Sequence, residues 1–555
     1  MMIFEAASRS SHEDAASRPF ADKGNQATRL LPRGDLLLLL TLTLLALILR
    51  LAHLQDQSLW VDEANTYYQN SGPLPEMLAR ARLIAIDFPL DRFFLNAVST
   101  FPPNEFSQRL PAALFGVLAV PLTYAFAGRL WGRRAGLLAA GLLAFSPYAI
   151  RYSQEARNYS SFTALHLLSL ICLLQALRRP TRGRWLTYAL TSALALLDHV
   201  YAVVALGLQF GFHALILVGA ALRRYPLREL RRRWPTLLRP AGQHLLALAL
   251  TGLLFLPWAL LVLTADRSGA SVAQGFGAWR TLSSVQFTPD VLLRMLRWLS
   301  ANANATTPLF VLVVGAGVLA GVLPGRRWLA WLGWAYIVLA LVGVAIGARI
   351  GNNYVGYRRL LFILPVLLTL AGAGVDAFLR LTLDRLAFLR RREPALGLIV
   401  ALTVGAALLS WPAILSHYQA QKENWRGLTQ VLRREAGPDD LIVNYIVSRE
   451  TSRALMAYLG ADLAGLRIAP AADVLQEGTL PASGVVWEIF PFPIDRNSPD
   501  RWLLNDIDRL RVLDGDASLD PLQMMLSLQR TRPADAAALR RQVIAGLEQT
   551  ARAEA

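Results

Sequence analysis

The chain has 555 residues, 54% of them hydrophobic and 17% charged, with a mean hydropathy of +0.37. Soluble domains carry roughly a quarter charged residues, so this composition, with apolar runs as long as Asp35 to Leu54, excludes an ordinary soluble protein of several domains. The net charge of +17 is scattered in short clusters between apolar runs, which argues against a nucleic-acid partner and for the cytoplasmic rim of a membrane.

Residues 1–28 are polar, small and mixed in charge, and read as a disordered cytoplasmic tail. The run from Asp35 is too long for a signal-peptide core and lacks a small-residue cleavage site, so it reads as a retained helix. A span needs about 20 predominantly apolar residues. On that basis eleven spans are predicted, at 35–54, 109–130, 134–151, 159–177, 185–198, 199–221, 243–264, 307–323, 327–348, 359–379 and 395–415. The fifth and sixth could together be one broken segment. Arg29 and Arg33, Arg133 and Arg134, Arg178 to Arg184, Arg223 to Arg239, Arg326 and Arg327, and Arg390 to Arg392 then all fall on one side, which the positive-inside rule makes cytoplasmic. The fold class expected is an α-helical polytopic membrane protein of the cell (inner or plasma) membrane.

The expected organisation is a transmembrane domain at 29–415, with a first outer loop at 55–108, followed by a soluble extracytoplasmic α/β domain at 416–555. In that last part Glu423 to Glu435 has helical spacing, Leu441 to Val447 reads as a buried strand, Glu450 to Leu459 as a helix and Val485 to Phe490 as a strand. Gly437-Pro438-Asp439-Asp440 is a turn signal. The single cysteine, Cys172, lies in an apolar run and has no partner for an intramolecular disulfide.

The candidate chemistry gathers on the outer side. Trp60-Val61-Asp62-Glu63-Ala64 puts two adjacent carboxylates just past the first span. They suit a base and a metal ligand, or equally an acidic start to a helix. Tyr152-Ser153-Gln154-Glu155-Ala156-Arg157-Asn158-Tyr159 fills a short outer turn with more polar chemistry than a turn requires, although a surface ion pair with two interfacial tyrosines would also account for it. Asp198-His199 interrupts apolar sequence at the outer end of the fifth span, where ionisable groups are costly unless they face a cavity or a partner. Arg358 and Arg359 lie on the outer side against the orientation rule, and suit either a phosphate or lipid headgroups. His12, His53, His166, His213, His244 and His417 are isolated and read as packed, interfacial or tail residues rather than ligands.

At these residues the chain resembles the bacterial family 39 type glycosyltransferases, a superfamily with a multi-spanning C-type fold that includes protein O-mannosyltransferases and aminoarabinose transferases. Leu59 to Ala64 looks like the first-loop Asp-Glu motif of that family, and Arg109 to Val117 like its second-helix signature. Ser146-Pro147 with Tyr152 to Tyr159 looks like its most specific stretch, Arg358 to Pro365 like its late-helix motif, and Trp425-Arg426 with Pro438-Asp439-Asp440 like the start of its outer domain. The similarity runs from about residue 35 to 450. One departure is Ile86-Asp87-Phe88-Pro89, where many relatives have Asp followed by His-Pro-Pro-Leu.

The resemblance implies inverting transfer of a sugar from a polyprenyl-phosphate donor to a hydroxyl acceptor of unknown identity (lipid, glycan or protein), among membrane lipids on the outer face. It implies Asp62 as base, with Glu63 supporting it or holding a divalent metal; His199, from its place at the outer end of the fifth span, is a second candidate ligand. It also implies substrate contacts from Tyr152, Gln154, Glu155, Arg157, Tyr159 and Asp87, and phosphate binding by Arg358 or Arg359. The rival readings are a transporter or lipid flippase, and a non-catalytic membrane scaffold.

Overall fold

A computed structural model describes residues 32–83, 89–225, 227–264, 307–323, 326–350, 357–383, 392–419, 424–437 and 439–444, with short pieces at 455, 457–459, 467–470, 486–490 and 527–531. Asp87 and most of the expected helix at 450–459 lie outside the described residues.

Each expected span holds a helix. They are α1 (Arg33–Leu51), α5 (Glu105–Trp131), α6 (Arg133–Ala144), α8 (Tyr159–Arg178), α9 (Arg182–Asp198), α10 (Ala202–Arg224), α11 (Leu227–Leu263), α12 (Thr307–Val322), α13 (Arg327–Ile350), α14 (Leu364–Leu383) and α15 (Arg392–Gln419). Among the described residues, eight helices are long and apolar enough to cross a membrane. α6, α9 and α12, with 12, 17 and 16 residues, fall short of that length.

The third span is broken for a local reason. Ser146-Pro147 ends α6, because proline disfavours helix at the residue before it, and opens the short helix α7 (Pro147–Ser153), whose Ala149 amide is capped by Ser146. The buried Arg50 donates to the Leu143 and Ala144 carbonyls, both at 3.2 Å, so the end of α6 is satisfied inside the bundle. The fifth and sixth stretches are two helices, joined through His199 to Tyr201. α14 is preceded by a 3₁₀ helix at Tyr357–Ile363, which carries Arg358 and Arg359.

α8 and α14 form the centre, with 83% and 89% of their spanning windows buried, against 17% for α11. The peripheral helices turn leucines outward, Leu246 and Leu253 among them. That arrangement suits hydrocarbon and not water. α14 sits close to its neighbours because Gly374 has no side chain: a Cβ there would lie 1.7 Å from the Ala316 carbonyl oxygen.

The first loop folds into α2 (Val61–Asn70), α3 (Leu74–Leu83) and α4 (Pro89–Ala97) at one end of the bundle. Basic residues of the clusters gather at the other end, where Arg133 pairs with Asp35 at 3.2 Å and Arg178 donates to the Arg129 carbonyl. Beyond α15 come α16 (Trp425–Glu435) and a four-stranded sheet, with β1 (Leu441–Asn444), β2 (Arg467–Pro470), β3 (Val486–Phe490) and β4 (Ser527–Thr531) in the order β2-β1-β3-β4. β1 runs parallel to β2 and β3, and β4 is antiparallel to β3. This C-terminal unit shares a core with the first loop: Leu59, Ala64 and Tyr67 pack with Trp425, Leu432, Ile442, Tyr458 and Trp487.

Candidate active site

The site is organised around the first turn of α2. Acidic residues at a helix start meet its partial positive charge, and here Glu63 also accepts from the Trp60 amide at 3.3 Å, as in a capping box. The two neighbouring carboxylates then part company. The Glu63 side chain turns inward and is fully buried. Arg109 of α5 grips it with two bonds, Nε to Oε1 at 2.9 Å and a terminal nitrogen to Oε2 at 2.6 Å, and the Ala156 amide adds a third at 2.8 Å. The remaining Arg109 donors reach the carbonyls of Leu54, Gln57 and Ser58 at 2.8–2.9 Å. Glu63, expected to be catalytic or to hold a metal, is thus an anchor joining α2, α5 and the 155–158 turn.

Asp62 faces the other way. Its Oδ2 is 2.9 Å from Arg358, and both side chains remain about one-fifth exposed (20% and 19%). The Arg358 guanidinium lies over the Trp60 ring, 5.4 Å from its centroid, a cation–π distance. Arg157 donates to the Thr66 hydroxyl at 2.7 Å, and that hydroxyl donates to the Asp62 carbonyl, also at 2.7 Å. Tyr159 and the buried Glu155 lie near Arg358, on the same side as Asp62. The fold therefore brings Asp62, Glu155, Arg157, Tyr159 and Arg358 to one place.

Other expected residues are engaged elsewhere. Gln154 donates to the carbonyls of Leu49, Arg50 and Ala52 and meets His417 at 2.9 Å, so it closes the end of α1. Tyr152 packs edge-on against Tyr159, with centroids 5.7 Å apart. His199 accepts from the Tyr201 amide through Nδ1 and stacks on Phe162 at 4.9 Å. Arg359 reaches the Tyr201 hydroxyl at 3.4 Å. Among the described residues, no group of three or more His, Cys, Asp or Glu side chains could hold a metal ion.

Sequence reasoning gave no role to Arg109, Glu105, Arg426 or Tyr458. Arg109 did carry a signal, the same one that singled out Arg358 and Arg359: a basic residue at the outer end of an apolar run. For Tyr458, nothing in its surroundings in the sequence points 400 positions back to Ser58, whose hydroxyl it meets at 3.0 Å.

Residues 93–260 match the family model described as dolichyl-phosphate-mannose-protein mannosyltransferase. No curated protein sequence matches. Among solved structures, the chain is similar to ArnT from Cupriavidus metallidurans bound to undecaprenyl phosphate, at 13% identity and a TM-score of 0.55 over 84% of this chain and 94% of that one. Apo ArnT gives 13% identity, a TM-score of 0.54 and the same coverage. The chain has the C-type fold of membrane glycosyltransferases. An oligosaccharyltransferase from Archaeoglobus fulgidus, in complex with Zn and sulfate, matches at 12% identity and a TM-score of 0.47, over 86% of this chain and 70% of that one. The family-model match and the shared fold agree with the resemblance to the family 39 type glycosyltransferases and do not favour the transporter reading. The matched stretch 93–260 holds Arg109 and the 152–159 turn, whereas Asp62 and Arg358 lie outside it.

Proposed function

We propose that this C-type glycosyltransferase moves a sugar from a polyprenyl-phosphate donor to a hydroxyl acceptor on the outer face of the membrane, with Asp62 as general base. The acceptor oxygen attacks the anomeric carbon and its proton passes to Asp62. The bond from that carbon to the phosphate oxygen breaks, and polyprenyl phosphate leaves. One displacement inverts the anomeric configuration. The observation that carries this reading is the Asp62–Arg358 pair. A weak hydroxyl nucleophile needs a carboxylate, a phosphate leaving group needs fixed positive charge, and these two groups are neighbours at one end of the bundle. Arg157 adds a second guanidinium beside α2. The undecaprenyl phosphate in the structure of ArnT supports a lipid phosphate as the leaving group.

A divalent ion was expected at Glu63 or His199. The described donor set does not suit one: the Glu63 oxygens are bonded to Arg109 and Ala156, and the His199 Nδ1 accepts from Tyr201. The guanidiniums of Arg358 and Arg157 take the phosphate charge. The position of the described cluster residues Arg133 and Arg178 at the end opposite Asp62 supports the outer placement of the site. The test is to incubate the purified protein with a panel of polyprenyl-phosphate sugars and measure free polyprenyl phosphate. Release dependent on an acceptor supports the reading, and no release from any donor overturns it.

A further inference from the structure

The segment between α1 and α2, residues 52–60, has turns but no regular helix or strand, yet it determines where Asp62 stands. It is held from two sides. From the bundle, Arg109 takes the carbonyls of Leu54, Gln57 and Ser58. From the C-terminal unit, one phenol completes the frame. The Leu59 amide donates to the Tyr458 oxygen at 2.7 Å, the Ser58 hydroxyl donates to it at 3.0 Å, and Tyr458 itself donates to Glu105 at 2.9 Å. Burial pushes the Tyr458 phenol well above its usual range, with the Glu105 charge adding to the effect, so it remains a donor throughout the working pH range. Arg426 reinforces the frame, with its amide on the Ser58 hydroxyl at 3.1 Å and its guanidinium 3.3 Å from Glu105. Leu59 and Ala64, the residues flanking the Asp62 turn, are buried in the apolar cluster that contains Trp425 and Tyr458.

We infer that Tyr458 is a positioning residue, through which the C-terminal unit sets the first turn of α2 and so aims Asp62. This rests on the reading of Asp62 as base. Tyr458 contributes no bond to Asp62 or Arg358. Its three hydroxyl contacts instead fix residues 58 and 59, immediately before the turn, and tie them to Glu105, one helical turn before Arg109 on α5. Catalysis is sensitive to such placement, since a misplacement of about 1 Å can cost on the order of 100-fold in rate.

The experiment is a double-mutant cycle on purified full-length protein, reading polyprenyl-phosphate release. Tyr458→Phe keeps the ring in its cluster and removes the hydroxyl. It is expected to lower kcat by roughly 10- to 100-fold while the donor KM changes by less than about twofold. On an Asp62→Asn background it should add nothing, because a residue acting through Asp62 has no effect once the base is gone. Ser58→Ala, which removes the partner hydroxyl and leaves the C-terminal unit intact, should repeat the pattern more weakly and serves if Tyr458→Phe does not fold. Tyr67→Phe, which loses the bond to the Thr100 carbonyl, is the matched control and should stay near the wild-type rate. Multiplying defects in the double variant, or a wild-type kcat in both Tyr458→Phe and Ser58→Ala, would overturn the positioning role. A wild-type rate in Asp62→Asn alone would instead sink the base reading.

Discussion

Asp62 and Arg358 are 296 positions apart in the chain and 2.9 Å apart in the fold. The contact joins the first turn of a loop helix to a 3₁₀ helix that leads into the most buried span. Such a pair has two uses before substrate arrives. The guanidinium fixes the orientation of the carboxylate, and the carboxylate compensates a cation that the donor phosphate takes over on binding. That exchange of partners would release Asp62 toward the acceptor at the moment when a base is needed.

Asp62→Asn should therefore separate binding from chemistry. The amide keeps the shape and loses the basicity, and loss of a general base costs about 100- to 10,000-fold in rate. Donor affinity should hold or improve slightly, since Arg358 no longer has a carboxylate competing with phosphate. The measurement is steady-state transfer together with equilibrium binding of a non-transferable donor analogue. Transfer within about threefold of wild type, far short of that loss, would move the base to Glu155.

Arg358→Lys should show the reverse pattern. Lysine keeps the charge but not the planar fork, nor the geometry over Trp60. A hydrogen bond to a charged group is worth about 1.5–3 kcal/mol, so the donor Kd should rise roughly 10- to 100-fold. The acceptor KM should stay near its wild-type value. An unchanged donor Kd would remove Arg358 from the phosphate site and leave Arg157 and Arg359 as candidates.

Much of this site was legible because its residue types are expensive where they occur. An arginine at the outer end of an apolar run, or a carboxylate with a guanidinium in a short turn, stands out against a bilayer. What those side chains meet was not legible. Asp62 and Glu63 are adjacent and alike in the sequence, but a helix turn points them about 100° apart, and only the fold shows which one meets a buried arginine. Gln154 was read as a substrate contact because it lies in the richest motif, and it proves to satisfy the last carbonyls of α1, a need that arises only once α1 and α7 are packed. Arg50 was counted within an apolar span, where it fills the break between α6 and α7. Each expected stretch contains a described helix, but the break at Ser146-Pro147 shortened the third, and eight of the described helices are long and apolar enough to span.

The two ends of the chain should lie on opposite sides of the membrane. Among the described residues, Arg133 and Arg178 of the arginine clusters lie at the end of the bundle opposite Asp62, and positive residues favour the cytoplasmic side. Reporter fusions at Gly24 and at Ser483 test this, using one reporter active only in the cytoplasm and one active only outside. The expected outcome is cytoplasmic signal at Gly24 and external signal at Ser483. The same response at both positions would require an even number of crossings and would contradict the shared core of the first loop and the C-terminal unit.

Glu63→Gln should fail differently from Asp62→Asn, even though the residues are neighbours. Glu63 and Arg109 are almost wholly buried, at 0% and 2% side-chain exposure. Removing one charge of a buried pair strands the other, at a cost of about 3–5 kcal/mol. Glutamine can still accept from Arg109 with its oxygen, but its amide nitrogen must face a second guanidinium donor. The anchor joining α2, α5 and the Ala156 turn then loosens, and activity falls because the protein is less stable and Asp62 is less firmly placed. Thermal unfolding in detergent should show a clear drop in Tm for Glu63→Gln and little change for Asp62→Asn. Arg109→Met should be at least as destabilising, because it also abandons the carbonyls of Leu54, Gln57 and Ser58. Glu63→Gln combined with Arg109→Met should cost less than the sum of the two, since no charge is left stranded. A Glu63→Gln protein with wild-type Tm and a large loss of kcat would return Glu63 to the chemistry.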